Sequence, residues 1–218
     1  MKKVFVITCK YTPEKSFVYG SVDNILKHYP RSDIIIVDSC SEDKTYLADL
    51  RSKYPTVITE DVCNQNYEYG GTLHAFNKFK NNYDVFFFLQ DTVHIVKPIP
   101  LDILDDNTAL MFDANTSGLH SDAAARERFF NKFPQTSQMP GYVPPEGLFM
   151  CLWNSFIIKS NAFKKVVNSE IFKTVSPPVD KVESRMWERL WSTMIASNGI
   201  QIKVIDTSCK NKLWGGRS

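Results

Sequence analysis

Two carboxylates, Asp91 and Asp38, each stand where a short apolar run stops. Asp91 follows Val85–Leu89 inside Tyr83–Pro98, which reads YDVFFFLQDTVHIVKP. Asp38 closes Asp33–Asp38, which reads DIIIVD. Runs this short and uniformly apolar fit strands covered on both faces. In open α/β sheets the carboxyl ends of such strands border the ligand crevice. A carboxylate there can hold Mn²⁺ or Mg²⁺ through oxygen, accept hydrogen bonds from a ligand's hydroxyls, or cap its own turn. His94 is not expected to share a cation with Asp91, because residues three apart in an extended segment face opposite sides.

Other elements must bring these strand ends together. Val4–Ile7 reads as a first strand that exits into the polar loop Thr8–Pro13. Ser16–Tyr29 carries a helical stripe at Phe17, Val18, Val22, Ile25 and Leu26 and stops at Pro30. Asp33–Asp38 is the second strand, Tyr46–Tyr54 a short helix and Val57–Thr59 a third strand. The Gly-bearing segment Asn64–Gly71 leads into a helix over Thr72–Lys80, capped at Thr72 or one residue earlier. Asp84–Leu89 is then the central strand. Strands alternating with helices in this way imply a mostly parallel sheet with right-handed crossovers.

The second half is less regular. Ala109–Asp113 and Ser155–Ile158 read as strands, Ser121–Phe133 and Asn161–Val167 as helices. Pro134–Trp153 is rich in Pro and Gly, the composition of a lid or binding loop. Val182–Ser197 is an amphipathic helix with Trp187, Leu190, Trp191, Met194 and Ile195 on one face, stopped by Asn198-Gly199. Ile200–Ile205 is a last strand, and the basic tail Lys210–Ser218 is expected to be partly mobile.

Composition narrows the function class. The 218 residues are 43% hydrophobic and 23% charged, enough for one domain with a real core. A net charge of +2 is too small to point to nucleic acid or an anionic membrane, while scattered Lys residues leave a phosphate-bearing small molecule open. The five cysteines are odd in number and form no CxxC pair. Reduced cysteines in a cytoplasmic protein are the expectation. No window reaches the ~20 apolar residues of a membrane span, and the apolar stretch Val4–Ile7 is too short for a signal peptide.

Four segments together resemble the GT-A glycosyltransferases, above all the family-2-like inverting enzymes. They are VFVITCKYT, IIIVDSCSEDKT, NQNYEYGGTLHAFNKF and YDVFFFLQDTVHI, in that order. The resemblance implies a single α/β domain over 1–218, a Rossmann-like, mostly parallel sheet flanked by helices. Residues 1–98 would bind a nucleotide diphosphate sugar and 99–218 the acceptor, a glycan or other hydroxyl compound. It implies donor contacts from Thr8, Asp38, Gly71, Gln90 and Asp91. Bland readings stand beside each: a loop residue for Thr8, a capping acid for Asp38, a turn for Gly70-Gly71. His74 would be a partly buried surface residue sooner than a nucleotide contact.

The family's D-x-D position reads Gln90-Asp91-Thr92, with one acid. The resemblance implies Mn²⁺ or Mg²⁺ on Asp91, with substrate phosphates and water completing the shell. A cation-free enzyme would lean on Lys, Arg or helix N-termini instead. It also implies a base near the start of the helix before the last strand, which removes the acceptor's proton. Glu188 is the first candidate and Glu183 the second, with Asp113 a third, in sugar binding. Glu188 could equally be a surface acid paired with Arg185 or Arg189. Tyr142, Phe149 and Trp153 offer aromatic faces to an acceptor sugar, or ordinary core filling, with Tyr142 and Trp153 the leading pair; Trp187 and Trp191 read as core. Two rivals remain: a binding protein on a degenerate transferase scaffold, and a sugar-phosphate nucleotidyltransferase. TCKYTPEKS lacks the Gly that the second would carry after its first strand.

Overall fold

A computed structural model describes residues 1–13, 17–63, 66–113, 131–134 and 151–213. The chain runs β1 (Lys3–Cys9), α1 (Val18–His28), β2 (Asp33–Asp38), α2 (Thr45–Lys53), β3 (Val57–Asp61), α3 (Tyr67–Phe79), β4 (Val85–Gln90), β5 (Val93–Ile95) and β6 (Thr108–Met111). After a 3-10 turn (Leu152–Asn154) come β7 (Phe156–Lys159), α4 (Ser160–Asn168), α5 (Glu170–Thr174), α6 (Lys181–Ser197), β8 (Gln201–Val204) and β9 (Lys210–Lys212).

Seven strands form one sheet in the order β3-β2-β1-β4-β7-β6-β8, and β5 pairs with β9 in a separate ribbon. Strands β3, β2, β1 and β4 are mutually parallel. β7 runs antiparallel to both β4 and β6, and β8 runs parallel to β6. The fold is therefore the α/β class expected, a mostly parallel sheet flanked by helices. The uniform apolar runs have a direct cause. Phe5, Ile7, Ile34, Ile36, Phe87 and Leu89 pack on one face with Val22 and Ile25 of α1 and Leu47 and Leu50 of α2. Val4, Val6, Ile35, Val37, Phe86 and Phe88 pack on the other with Phe76 of α3 and Trp187 and Trp191 of α6. Both Trp side chains are fully buried, as expected of core residues.

Helix α6 begins where the Asp180 carboxylate accepts from the Glu183 amide at 2.8 Å. It ends at Asn198 and Gly199, whose φ of +73° is the left-handed cap conformation that glycine takes without strain. Two expectations meet a different arrangement. α3 starts at Tyr67, so Thr72 and Gly70-Gly71 lie inside the helix and not at its mouth. Lys210–Lys212, the start of the expected tail, is a strand, because β5 supplies it with a partner; residues 214–218 lie outside the described residues. The loop after β4 turns at once into that partner strand, Val93–Ile95, whose Val93 and Ile95 are fully buried. Helix Ser121–Phe133, apart from its last residues, lies outside the described residues. The five cysteines form no disulfide. No helix among the described residues is long and apolar enough to cross a membrane.

Candidate active site at the carboxyl edge of the sheet

The centre of the edge is Gln90, the last residue of β4. Its backbone N–H donates to Ser155 Oγ at 3.2 Å, and that hydroxyl donates to the Trp153 carbonyl at 3.0 Å. These two bonds tie the strand end to the 3-10 turn. The Gln90 side chain bridges an acid and a base. Its Nε2 donates to Glu68 Oε1 at 2.8 Å, and its Oε1 accepts from Lys212 Nζ at 3.2 Å. Glu68, on the first turn of α3, accepts a second bond from Ser184 Oγ of α6 at 3.0 Å. Lys212 also donates to Thr92 Oγ1.

Trp153 lies against this cluster. The Lys210 and Lys212 ammonium groups lie 4.6 and 5.1 Å from its ring centroid, within cation–π range. Lys210 also pairs with Asp113 at 2.9 Å, its side chain only 7% exposed. Trp153 and Asn154 both hold left-handed backbone, with φ of +60° and +48°. Two consecutive non-glycine residues in that region carry a real conformational cost, and such strain gathers at functional sites.

Glu188, on α6, faces the same cluster. Burial first, then repulsion from Glu68, pushes its carboxyl up to about 7. Arg189, the Trp153 backbone N–H and Lys212 pull the other way without cancelling the rise. The helix is anchored here by the Cys151 N–H, which donates to the Glu188 carbonyl at 2.6 Å. Burial, with Glu188 beside it, holds the Cys151 thiol well above its ordinary range, so it is no nucleophile. A carboxyl poised near neutrality beside a second carboxylate is the arrangement of a general base or acid.

The other sequence candidates are placed as follows. Asp38 is fully buried. Its carboxylate accepts from the Ser41 N–H at 2.9 Å, the Ser41 hydroxyl and the Tyr46 hydroxyl at 2.5 Å, so it organises the turn after β2. Gly71 faces Thr8: a Cβ there would lie 2.5 Å from Thr8 Oγ1, so glycine lets α3 approach β1. Asp91 is 2% exposed. His94 packs on α1, its ring 3.2 Å from Asn24 Nδ2, and burial pushes its imidazole down. His74 bonds Glu60 at 3.0 Å on the surface. Glu183 pairs with Lys132 at 2.8 Å. Tyr142 and Phe149 lie outside the described residues. Thus Gln90, Trp153 and Glu188 come together, while Asp38 serves the turn after β2 and Glu183 pairs with Lys132.

Asp91 is the one residue here that the resemblance would place on a divalent cation, with substrate phosphates and water completing its shell. Among the described residues no three His, Cys, Asp or Glu groups converge as metal ligands. The one acid of the triplet is buried, and an ammonium already sits on its two neighbours.

Reading the sequence missed Glu68, Ser184, Lys210 and Lys212. The available signal was the alternation of Lys210 and Lys212 two apart, the spacing of one strand face.

No protein-family model matches the chain, and no curated protein does. Among solved structures it is similar to the galactosyltransferase LgtC, crystallised in complex with donor and acceptor sugar analogues. The TM-score is 0.51 at 15% identity, covering 92% of this chain and 72% of that one. At that identity the likeness is one of fold, and the fold is GT-A-like.

Proposed function

We propose that this chain is a glycosyltransferase that moves a sugar from a nucleoside diphosphate to an acceptor hydroxyl, with inversion at the transferred carbon. The observation that carries the reading is Glu188, a carboxyl raised to about 7 at the carboxyl edge of a GT-A-like sheet. In its ionised form Glu188 takes the proton from the acceptor hydroxyl as that oxygen bonds to the anomeric carbon. The bond from that carbon to the diphosphate breaks, and its electron pair leaves with the diphosphate. Charge builds on the sugar ring as in glycoside hydrolysis. Trp153 supplies an aromatic face to the acceptor, and Gln90 borders the donor. The buried bonds of Asp38 and the packing of Gly71 on Thr8 suit a supporting part, in which they shape the nucleotide loop.

The test is a screen of nucleotide sugars with a panel of hydroxyl acceptors, with and without Mn²⁺, read by release of the nucleoside diphosphate. Turnover of one donor is the expected result. The buried Asp91 favours one rival, a protein that binds nucleotide sugars without acting on them. Donor binding with no turnover on any acceptor, or as hydrolysis, would establish that rival.

A further inference from the structure

We propose that a cleft at the amino edge of the sheet, at the far end from Gln90 and Glu188, is a binding site for a sugar phosphate. The cleft measures about 490 Å³, and Lys80, Asp84, Asp106, Lys159, Asn161 and Lys164 line it. That volume is in the range of small-molecule sites. Its place follows from the fold. β4 starts here and β7 ends here, with Val85 opposite Lys159. The Ser160 N–H donates to the Asp84 carbonyl, and the Ser160 hydroxyl donates to the Lys80 carbonyl, both at 2.8 Å. These bonds tie the start of α4 to the turn that leads into β4. The two segments that carry the lysines therefore form one rim. The cleft shares no residue with the candidate active site, so it stands whether or not the chain transfers sugar.

The charges suit a phosphate that carries hydroxyls. Lys80, Lys159 and Lys164 set three ammonium groups against the carboxylates of Asp84 and Asp106. The ion pairs among the described residues include none of these three lysines. Asp105, a further acid that interacts with Lys159, also interacts with Lys203 and accepts from the Asn107 N–H at 2.8 Å. Lys80, Lys159, Lys164 and Asp106 are each half-buried, so they are set in the rim and still open to a ligand. α4 starts in the cleft with no side-chain cap and no acid in its first turn, so its amino end adds positive potential there. Ammonium groups give a phosphate charged hydrogen bonds. Asp84 and Asp106 repel a bare phosphate but accept from the hydroxyls of a sugar joined to one. The mixture of charges thus selects for both halves of the ligand.

The experiment is titration of the isotope-labelled full chain, read by amide shifts in NMR spectra, with glucose 6-phosphate, fructose 6-phosphate, glucosamine 6-phosphate, glucose 1-phosphate, glucose and inorganic phosphate. At least one of the four sugar phosphates is expected to bind, with the largest shifts at residues 80–84 and 159–164. Inorganic phosphate and glucose should each bind about 10-fold more weakly or worse. Lys164→Met should weaken the sugar phosphate about 10-fold or more, the loss of a charged hydrogen bond. Asp106→Ala should weaken the sugar phosphate and strengthen inorganic phosphate, since it removes a hydroxyl acceptor and a repelling charge together. A spectrum otherwise like that of the unaltered chain shows that each variant is folded. The inference is overturned if none of the four sugar phosphates binds, or if the shifts fall at the carboxyl edge instead. It is also overturned if inorganic phosphate binds as tightly as the sugar phosphates, or if a folded Lys164→Met keeps full affinity.

Discussion

Glu188 and Glu68 face each other but differ in their surroundings. Glu68 is bonded by Gln90 and Ser184, while Glu188 is desolvated and faces Glu68. A base must be ionised to act, so the rate should rise with pH through about 7, the value to which Glu188 is raised. Glu68→Gln removes one of the two causes of that rise. The acidic limb of kcat/KM should then move to lower pH, and a limb that does not move would exclude the coupling. Glu188→Gln should lower kcat by ~10²–10⁴-fold with donor binding preserved. Transfer at the unaltered rate would remove Glu188 from the base role. The same shift has a cost in stability. A carboxyl raised above its ordinary 4.5 favours the fold most when protonated. Its contribution is full below about 4.5 and is lost as pH rises to about 7, so Glu188→Gln should stabilise the chain at pH 8 relative to pH 4.

At the scale of elements, the contact between α3 and β1 sets where Glu68 stands. Gly71 permits it, since an added Cβ would meet Thr8 Oγ1 at 2.5 Å and Thr8 Cγ2 at 2.6 Å. Gly71→Ala should destabilise the fold by about 1–3 kcal/mol, as overpacking of a tight interface does. Thr8→Ala in the same chain should return part of that loss, because the two changes share one contact. Thermal denaturation of the single and double variants measures this. An unchanged melting temperature in Gly71→Ala would show that the helix rests on β1 less closely than this. The strained pair Trp153-Asn154 works in the turn before β7: its left-handed backbone turns the indole toward both lysines.

Over the whole molecule, the central strands and the ribbon differ in their support. β1, β2 and β4 are sandwiched between helices on both faces, and β1 has a hydrogen-bonded neighbour on each side. β9 is three residues long and pairs with β5 alone. Hydrogen exchange should therefore be slowest in β1, β2 and β4 and much faster in β9. Equal protection throughout would mean that the ribbon opens only with the sheet.

The sequence by itself determined the strands, the face of α6 that is buried, and the edge at which chemistry belongs. Those signals are local. A strand covered on both sides must be apolar at every position, as Val85–Leu89 is, and a helix on a core must repeat its apolar residues along one stripe, as Trp187 and Trp191 do. The last residue of such a strand is then at the edge, which placed Gln90 there, while Glu188 became a candidate through the resemblance to GT-A glycosyltransferases. Only the tertiary structure decided which groups meet there. Ser184 bonds Glu68 across 116 residues of chain, and Lys212 bonds Gln90 across 122. Strand order and the β5–β9 register bring about such meetings, and no local period records them. The same holds for Asp91 and Asp38: their types announced carboxylate chemistry, but packing buried one and gave the other to its own turn. A side chain's type states what it can do, and its neighbours, drawn from distant parts of the chain, decide whether it does so.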